Sequence, residues 1–448
     1  MLDELPESLD ETYERMLRNI HKAKRGHAHR MLQCLTVAAR PLRIAELAEI
    51  LAIDFGTAMC RGISRLNINW RLEDQQHAVL STCSSLITVV DQEGTQVVQF
   101  SHFSVKEFLT SPRLARSNPD VSRFYIPFEP AHTILAKACL GVLLRLDNRV
   151  SRDGVHADYP LALYAAEHWV DHAQFGDVSS QVQEGMEELF DSMKPCFTAW
   201  LRLHDIDTYP SSTSPLYQFT SASGKAAPLY YAALCGFLDL AEHLTVNHPE
   251  QVNAIGGYHV SPLGAALRAG HFKVAQLLYQ HGADVDVCGH DKRTMLYGAS
   301  YEQREIVEWL LHRSADPDLR DGSGGCTPLH FVVSHGPIEI AEILLEHKAV
   351  VNAQDDVGRI PLHVASRRGY VDFTRLLLRH GADVNSQDAE GSTPLHLVGG
   401  VTLDIARLLV EHGANLDLED FKGRTASQAA SDRGSHDLAK WLSDHGSK

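Results

Sequence analysis

The chain has 448 residues, of which 44% are hydrophobic and 22% are charged, a composition typical of soluble globular proteins with about two to four domains. Its 57 acidic and 41 basic residues give a net charge of −16. Because nucleic acids and anionic membranes attract basic surfaces, this charge disfavours nonspecific binding to either.

The eight cysteines include no Cys-x-x-Cys pair, which indicates reduced thiols in a core rather than a disulfide framework or a zinc site. The acidic start, Met1–Glu7, lacks the basic and then apolar order of a secretory signal. The longest apolar run, Ile134–Leu144, contains Lys137 and is too short to span a bilayer. We therefore expect a cytoplasmic protein without a metal, a cofactor or membrane contact.

The first part of the chain carries the pattern of several helices followed by a β-hairpin. A capping box at Ser8–Glu11 predicts a helix from about Leu9 into the stretch 22–25. Further helices are predicted over Ala28–Ala39, Ile44–Leu51 and the region near His77–Ser84. Alternating residues on either side of a polar turn predict two short strands, in Leu86–Val90 and Gln96–Phe100. This is the composition of a winged helix.

Winged helices often bind DNA through a basic recognition helix. The candidate here, Ile44–Leu51, contains two glutamates and neither lysine nor arginine. Because DNA affinity depends on positive charge at the phosphates, this composition disfavours DNA binding.

Six segments carry a more specific resemblance, which extends over most of residues 1–210. They are Leu5–Tyr13, Arg40–Arg43, Leu80–Leu86, Phe100–Leu109, Pro160–Tyr164 and Ala166–His172. Together they resemble the winged-helix part of signal-transducing NTPases of the NACHT type, which are STAND proteins, and specifically the fungal NACHT–ankyrin group. The resemblance implies a regulatory module that works with a nucleotide-binding domain.

In that family a histidine of the last strand contacts the phosphate of bound ADP, and this position falls on His102. An imidazole can donate a hydrogen bond to a phosphate oxygen. However, the sequence contains no Gly-x-x-x-x-Gly-Lys-Ser/Thr motif, and Gly224-Lys225 is followed by alanine. Two interpretations stay open, an incomplete or vestigial nucleotide contact and a structural role, and the missing motif favours the second.

The middle of the chain reads as helical. Helices are predicted over Pro130–Arg145, Ala162–Ala173, Val182–Leu189 and a stretch around Trp200. The segment Tyr209–Pro215 has the composition of a linker. The predicted domains are a winged-helix-like domain with a leading helix at 1–112, a helical domain at 113–208, a linker at 209–225 and a repeat region at 226–448.

Prolines or their substitutes recur through the second half at a near-constant period. They are Pro228, Pro262, Met295, Pro328, Pro361, Pro394 and Ala426, separated by 34, 33, 33, 33, 33 and 32 residues. A fixed period of this length marks a solenoid in which each unit buries its apolar face against its neighbours. We number these units as repeats 1–7 and expect them to form a binding surface.

Repeat 4 has the fullest pattern. Thr327 can cap a helix whose first turn contains Pro328, where a missing N–H costs nothing. Gly336 is expected to end this helix in a left-handed turn, and Ile340 and Leu344 give a second helix its apolar face. Each repeat is therefore predicted to be two antiparallel helices, with a polar hairpin loop leading to the next.

Four segments resemble the signature of ankyrin repeats: Thr327–His330, Ile360–His363, Thr393–His396 and His380–Asn385. The resemblance extends over residues 226–448, where signature and period agree. It implies a mainly α fold, in which a winged-helix-like domain and a helical segment precede an ankyrin α-solenoid with hairpin loops. About seven repeats are expected, and polar residues in the last one are typical of a terminal cap.

Three departures from the signature predict local irregularity. Ile360 cannot cap a helix, and Gln303 stands where a turn glycine is expected. Gly399-Gly400 lies in repeat 6, which is one residue short. We expect bends or looser stacking at these places.

In ankyrin proteins the partner usually contacts the hairpin tips and the exposed side of each first helix. Transferred repeat by repeat, the first-helix positions are Arg268, Tyr301, Glu302, Ser334, His335, Arg367, Arg368, Asp432 and Arg433, and the loop positions are Arg359, Glu390, Phe421, Lys422 and Arg424. Arginine and aromatic side chains are enriched at protein interfaces. For any single residue, an ordinary solvated surface is an equally good interpretation.

Two sets of histidines have a spacing that raises the question of metal binding. His330, His363 and His396 recur at the same position of separate repeats, which favours a repeated hydrogen bond over a shared metal ion. His168 and His172 have i, i+4 spacing, but no His-Glu-x-x-His motif and no third ligand nearby.

The sequence therefore favours a non-catalytic interaction or scaffold protein that binds a protein partner through its ankyrin repeats. The alternative is the sensor and regulatory half of a NACHT-type switch that associates with a missing or separately encoded NTPase domain. No motif for hydrolytic chemistry stands out, so an enzyme is not expected. Because the chain opens inside a pattern that normally follows an NTPase domain, whether Met1 is the true start stays open.

Overall fold

The computed structural model describes residues 9–54, 65–66, 79, 82–83, 85–92, 94–152, 154–207, 226–289, 292–301, 303–399 and 403–445. The chain divides into two compact units, Met1–Gln218 with Ala227–Pro249, and Phe219–Ala226 with Glu250–Lys448. The described residues are mainly helical, as predicted. Some expectations fall outside them, namely those on Ser8, the segment 209–225, Glu302, Gly400 and most of the segment 77–84.

The first compact unit begins with three helices and a small antiparallel sheet. These elements are α1 Leu9–Arg18, α2 Arg25–Val37, β1 Leu42–Arg43, α3 Ile44–Leu51, β2 Ile53–Asp54, β3 Arg65–Leu66, β4 Ile87–Gln92 and β5 Thr95–Phe100. The main sheet has the order β1-β5-β4, in which Leu42 pairs with Val98 and Ile87 with Phe100. Helix α3 and the hairpin match the expectation, and the winged helix is confirmed.

Helix α3 is the element expected as the recognition helix. Its glutamate side chains form hydrogen bonds within the first compact unit. The buried Glu46 carboxylate accepts hydrogen bonds from the Arg40 guanidinium at 2.6 and 2.9 Å and from the Arg43 N–H at 2.7 Å. The Glu49 carboxylate is 2% exposed and accepts the N–H of Leu161 at 2.7 Å. Because these side chains are committed to the interior, α3 cannot present them to a DNA groove.

A helical region follows the sheet. Its helices are α4 Phe103–Leu109, α5 Pro112–Ala115, α6 Pro119–Ser122, α7 Phe128–Leu143, α8 Val155–Asp158, α9 Ala162–Ala173, α10 Val178–Gln181, α11 Gln183–Leu189 and α12 Pro195–Leu203. The bounds of α9 are those predicted, and α7 begins two residues earlier than expected. None of the described helices of the chain is long and apolar enough to cross a membrane.

Repeat 1 belongs to the first compact unit, where its helices α13 Pro228–Cys235 and α14 Leu238–Asn247 pack on the helical region. The ring centroids of Phe237 and Trp169 lie 5.4 Å apart, and those of Tyr231 and Phe197 lie 5.7 Å apart. The Gln174 amide also donates to the carbonyl of Cys235 at 2.6 Å. The apolar side of the first repeat is thus covered by helices α9 and α12, as a terminal repeat requires.

The second compact unit contains the remaining repeats. Their helices are α15 Pro262–Arg268, α16 Phe272–Gln280, α17 Met295–Ala299, α18 Arg304–Leu311, α19 Pro328–His335, α20 Ile338–Glu346, α21 Pro361–Arg368, α22 Val371–Arg379, α23 Leu403–Glu411, α24 Ala426–Asp432 and α25 His436–His445. Each periodic proline, or its substitute in repeats 3 and 7, begins a first helix, except in repeat 6. The helix-pair prediction from the period is therefore confirmed.

Repeat 6 departs from the others, as Gly399-Gly400 led us to expect. Instead of a first helix, residues 394–397 form a turn in which Leu397 N–H donates to the carbonyl of Pro394 at 3.2 Å. Glycine lowers helix stability by about 1 kcal/mol relative to alanine, so a pair of glycines weakens the next helical turn. The N–H of Gly399 instead contacts the carbonyl of Ser366 in repeat 5 at 3.4 Å.

The expectation for Gly336 is wrong. This residue is extended, with φ −100° and ψ 176°, whereas Gly369 ends the corresponding helix of repeat 5 with φ +79°. The difference follows from Pro337, because a proline disfavours helical backbone in the residue before it. A side chain at 336 would also lie 2.8 Å from the carbonyl oxygen of Ser300, so glycine is needed there for close approach.

We predict that Leu329→Ala or Leu362→Ala lowers the free energy of unfolding by ~2–5 kcal/mol, because both side chains are fully buried between repeats. Urea denaturation measures the loss, and hydrogen exchange should show faster opening in the adjacent repeats as well. Val350→Ala, at a side chain that is 51% exposed, is the control and should change little. A denaturation curve unaltered by both core substitutions would contradict the stacking described here.

Candidate protein-interaction surface

Three histidines connect successive repeats of the second compact unit. The Nδ1 atom of His330 accepts the N–H of Thr327 at 3.3 Å and its hydroxyl at 2.9 Å, and Nε2 donates to the carbonyl of Arg359 in the next hairpin loop at 2.9 Å. The same bonds join His363 to Ile360 (3.1 Å) and Ser392 (3.0 Å), and His396 to Thr393 (3.2 and 2.8 Å) and Arg424 (3.0 Å). Each histidine thus holds the start of its first helix, or of the turn that replaces it in repeat 6, together with the following loop.

This arrangement requires neutral imidazoles that carry their proton on Nε2, because Nδ1 is used as an acceptor. Burial lowers the pKa of His330, His363 and His396, and the hydrogen bond to the carbonyl raises it by less. The repeated hydrogen-bonding role expected from the spacing is therefore what these side chains perform. In repeat 5, where Ile360 has no capping side chain, the N–H of His363 donates to the Ile360 carbonyl at 2.9 Å.

Two repeats have another residue at this position, and each of these residues makes one of the two bonds. In repeat 3 the position belongs to Tyr297, whose hydroxyl donates to the Asp321 carboxylate of the next loop at 3.3 Å. In repeat 7 it belongs to Gln428, whose Oε1 accepts the N–H of Thr425 at 3.0 Å. A phenol or an amide can therefore replace one half of the histidine's two bonds.

The hairpin loops are organised by buried aspartates. Asp355 accepts the backbone N–H groups of Val357 and Arg359 at 3.0 and 2.9 Å, and its carboxylate also pairs with the Arg359 guanidinium at 2.8 Å. Asp388 and Asp420 accept N–H groups in the same way in the next two loops. These bonds fix the loop backbone, so the exposed tips are held in one conformation.

Successive loop tips are also bonded to each other. Each of three tips donates an N–H to a carbonyl of the preceding tip at 2.9 to 3.0 Å: Asp356 to Gly324, Ala389 to Val357, and Phe421 to Glu390. The loop before repeat 4 is one residue longer than the three loops that follow it, and its Arg320 reaches Asp356 at 2.8 Å. The tips therefore form a continuous edge from repeat 4 to repeat 7.

Some residues expected to bind a partner are engaged within the protein. Arg359 pairs with Asp355, Arg424 pairs with Asp420 at 2.7 Å and Asp432 at 3.0 Å, and Arg268 donates to the Gln303 side chain. Glu302 lies outside the described residues. These pairs give Arg359 and Arg424 a structural role that the sequence pattern did not reveal.

The other expected residues lie at the surface. Tyr301 and Ser334 are half-buried, whereas His335, Arg367, Arg368, Glu390, Phe421, Lys422 and Arg433 are exposed. Phe421, at the last loop tip, is 77% exposed and packs over Gly391, where a Cβ atom would lie 2.7 Å from the Phe421 ring. We call the exposed side of the first helices the first-helix surface.

An apolar row on this surface was missed from the sequence. Phe331, Val364 and Leu397 are half-buried and follow the signature histidine in repeats 4, 5 and 6. The Phe331 ring lies 5.2 Å from that of His335 and 6.4 Å from that of Tyr301. For Phe331 and Val364 the signal was present, because they lie three or four positions before the chosen surface residues on the same helix face.

His102 is exposed at the start of α4. Its Nδ1 accepts the N–H of Ser104 at 3.3 Å and lies 2.5 Å from the Ser104 hydroxyl, which also contacts the Tyr13 hydroxyl at 2.7 Å. The neighbouring Phe103 is 71% exposed. His102 therefore caps a helix locally, while its ring lies at the surface.

His172 is part of a chain of hydrogen bonds. The Tyr164 hydroxyl lies 2.9 Å from His172 Nε2, and His172 Nδ1 lies 2.9 Å from His132 Nδ1. Burial, with a smaller contribution from nearby His132 and His168, lowers the pKa of His172 to about 3. Among the described residues, no group of three or more His, Cys, Asp or Glu side chains is placed to hold a metal ion.

Two family models match the chain. The model of ankyrin repeats matches three times, at residues 229–321, 298–388 and 380–448, and the model described as GPI inositol-deacylase, winged helix domain, matches residues 13–118. The ranges agree with the helix pairs of the second half and with the sheet and helices of the first. The chain therefore contains ankyrin repeats and a winged-helix domain.

Several curated proteins are similar to this chain over parts of their own length. The azaphilone pigments biosynthesis cluster protein L of Monascus ruber is 31% identical over 63% of this chain and 61% of its own. The ankyrin repeat and SOCS box protein 11 of Danio rerio is 36% identical over 22% of this chain and 33% of its own. The mouse ankyrin repeat and SAM domain-containing protein 6 is 27% identical over 28% and 14%. The chain thus spans less than two thirds of each of these relatives.

We predict that His363→Ala costs about 1–3 kcal/mol at pH 7.5, because it leaves the N–H of Ile360 and the carbonyl of Ser392 without partners. His363→Gln should cost less, since Gln428 makes one of these bonds in repeat 7. Urea denaturation measures both, with His380→Gln at an exposed site of the same repeat as control.

The same variants test the charge state of His363. Its folded-state pKa lies below the unfolded value of about 6.5, so the unfolded chain binds the proton more readily and stability falls as the pH drops below that value. His363→Gln removes this contribution, and the loss of stability between pH 7.5 and 5.5 should become smaller than in the wild type. A larger loss in the variant would contradict a neutral, buried His363.

Proposed function

We propose that this protein, with its ankyrin repeats and winged-helix domain, is a non-catalytic interaction or scaffold protein that binds another protein through the first-helix surface and the loop tips of the repeats. We propose a cytoplasmic location and the domain division stated from the sequence, with repeat 1 packed on the helical domain. The residues proposed to contact the partner are Tyr301, Glu302, Ser334, His335, Arg367, Arg368, Glu390, Phe421, Lys422 and Arg433, with Arg268, Arg359, Arg424 and Asp432 shaping the surface around them.

One contrast carries the proposal. The loop backbones and the buried aspartates are bonded inside the repeats, whereas arginine and histidine side chains lie exposed at the ends of first helices and Phe421 lies exposed at the last loop tip. A surface whose backbone is already fixed loses little conformational entropy on binding, which favours affinity. Exposed arginine and aromatic residues are also the types that carry most binding energy at protein interfaces.

The test uses the full chain as bait in extracts of the organism that encodes it. We predict that His335→Ala with Phe421→Ala lowers the recovery of a specific partner at least tenfold, as removal of interface anchors does. His380→Ala with Val350→Ala is the matched control, because both residues are exposed and follow second helices. Quantitative mass spectrometry compares the three baits. Equal recovery of every protein by all three would contradict binding at this surface.

A second candidate function is supported by the exposed pair His102 and Phe103. In this hypothesis the chain is the sensor and regulatory half of a NACHT-type switch, and His102 reaches the phosphate of ADP held by a separate NTPase domain. The repeats would then sense a ligand, and the winged helix would report it to the NTPase domain through a shift in conformational populations. The position of His102 at the surface of α4 permits such a contact.

We predict for this candidate that a supplied NACHT-type NTPase domain associates with the full chain in the presence of ADP, and that His102→Ala weakens the association. His21→Ala is the matched control, since His21 is also exposed and its Nδ1 also accepts a backbone N–H at 3.3 Å. Isothermal titration calorimetry measures the affinity. Absence of association with or without ADP would reject the candidate and leave the ankyrin interaction untouched.

A further inference from the structure

Exposed positive charge is concentrated on one stretch of the first-helix surface. Arg367 and Arg368 end helix α21, both are exposed, and neither forms an ion pair with another described residue. Arg433 follows helix α24, and its guanidinium donates to the carbonyl of Val398 in repeat 6 at 3.2 Å. The acidic neighbour Asp432 is already paired with Arg424 at 3.0 Å. We call Arg367, Arg368 and Arg433 the arginine cluster.

In repeat 6, two consecutive residues contact the two parts of this cluster. Val398 accepts the hydrogen bond from Arg433. The next residue is Gly399, and a Cβ atom added there would lie 3.4 Å from the carbonyl oxygen of Arg367. Residues 394–397 form a turn and are not part of a helix. Repeats 5 and 7 therefore present their arginines on either side of two residues with small or compact side chains.

Apolar surface lies next to these charges. Val364 is half-buried and precedes Arg367 and Arg368 by three and four residues, so the three share a helix face. In repeat 4 the same positions hold Phe331 and His335, whose rings lie 5.2 Å apart. Positive charge beside half-buried apolar side chains is complementary to a segment in which acidic and apolar residues are mixed.

We propose that the arginine cluster and the adjoining row of Phe331, Val364 and Leu397 bind an extended acidic segment of a partner protein. Carboxylates of the segment pair with Arg367, Arg368 and Arg433, and aliphatic or aromatic side chains of the segment cover the apolar row. Guanidinium groups bind carboxylates with two parallel hydrogen bonds, which gives geometric selectivity as well as charge. This inference rests on the proposed function and specifies the chemistry of the partner.

The charge of the whole region favours a short acidic segment over a longer polyanion. Residues 226–448 contain 29 acidic and 19 basic residues, a net charge of −10. A nucleic acid or a lipid surface extends beyond the arginine cluster and meets this negative charge, whose repulsion weakens such binding. A peptide of modest length can instead remain within the positive stretch of repeats 5–7.

The test is a selection from a displayed library of random 16-residue peptides on the immobilised full chain. We expect the recovered peptides to be enriched in Asp and Glu together with aromatic or aliphatic residues. Fluorescence anisotropy with the synthesised peptides then measures affinity, which should fall as salt is added because exposed charges are screened. A poly-Asp peptide and a scrambled neutral peptide serve as reference probes.

The variant Arg367→Glu with Arg368→Glu should weaken these peptides at least tenfold. Its matched control is Arg375→Glu with Arg379→Glu, which makes the same charge change at two exposed arginines on helix α22 of the same repeat and should change affinity less than twofold. Circular dichroism melting shows whether both variants fold. If the charge reversal disturbs folding, Arg367→Gln with Arg368→Gln replaces it, with the same expected direction.

Several results would overturn the inference. One is the recovery of no peptides, or of peptides without acidic enrichment, and another is equal weakening by both charge reversals. Tighter binding of a 20-nucleotide single-stranded RNA or of phosphatidylserine vesicles, lost in the Arg367 and Arg368 variant, would assign the cluster to another class of partner. A cellular partner that depends on His335 and Phe421 but not on these arginines would leave the proposed function standing and remove this inference alone.

Discussion

Repeats 4–6 depend on one hydrogen bond, donated by a buried imidazole to the carbonyl of the following hairpin loop. His363 shows its consequences: Nδ1 holds the first N–H of its own helix, and Nε2 fixes Ser392 of the next repeat at 3.0 Å. Because a neutral imidazole has one donor and one acceptor, both must be used at this position. The bond sets where each helix begins relative to the next loop, and hence where the exposed residues of both lie.

The arrangement of the proposed binding surface follows from this constraint together with the buried aspartates of the loops. Asp355 and Asp420 use the guanidinium groups of Arg359 and Arg424 to complete their own bonding, which removes these arginines from the set available to a partner. Arg367 and Arg368, which end a helix and face no described carboxylate, remain as exposed charge. The same residue type therefore stabilises the fold in the loops and is left exposed on the first helix of repeat 5.

The sequence predicted the elements whose signals are periodic or local. The 33-residue period located the helix pairs, and Ile44–Leu51 and Ala162–Ala173 were found at their observed bounds. The conformation of Gly336 was missed, although Pro337 already carried the reason for it. Strand β1, two residues long, has no periodicity to detect, and the packing of repeat 1 on α9 and α12 arises from aromatic contacts between distant residues. Pairing partners such as Asp355 for Arg359 likewise require the folded loop.

The tautomer of the signature histidines tests this account most directly. Nitrogen-15 chemical shifts of histidine-labelled full chain at pH 6.0, assigned with His330→Gln, His363→Gln and His396→Gln variants, distinguish neutral imidazole protonated on Nε2 from the Nδ1 tautomer and from imidazolium. The account predicts that all three are neutral with the proton on Nε2, since Nδ1 accepts and Nε2 donates in each repeat. Imidazolium or Nδ1-protonated signals at these positions would contradict the bond on which the surface depends.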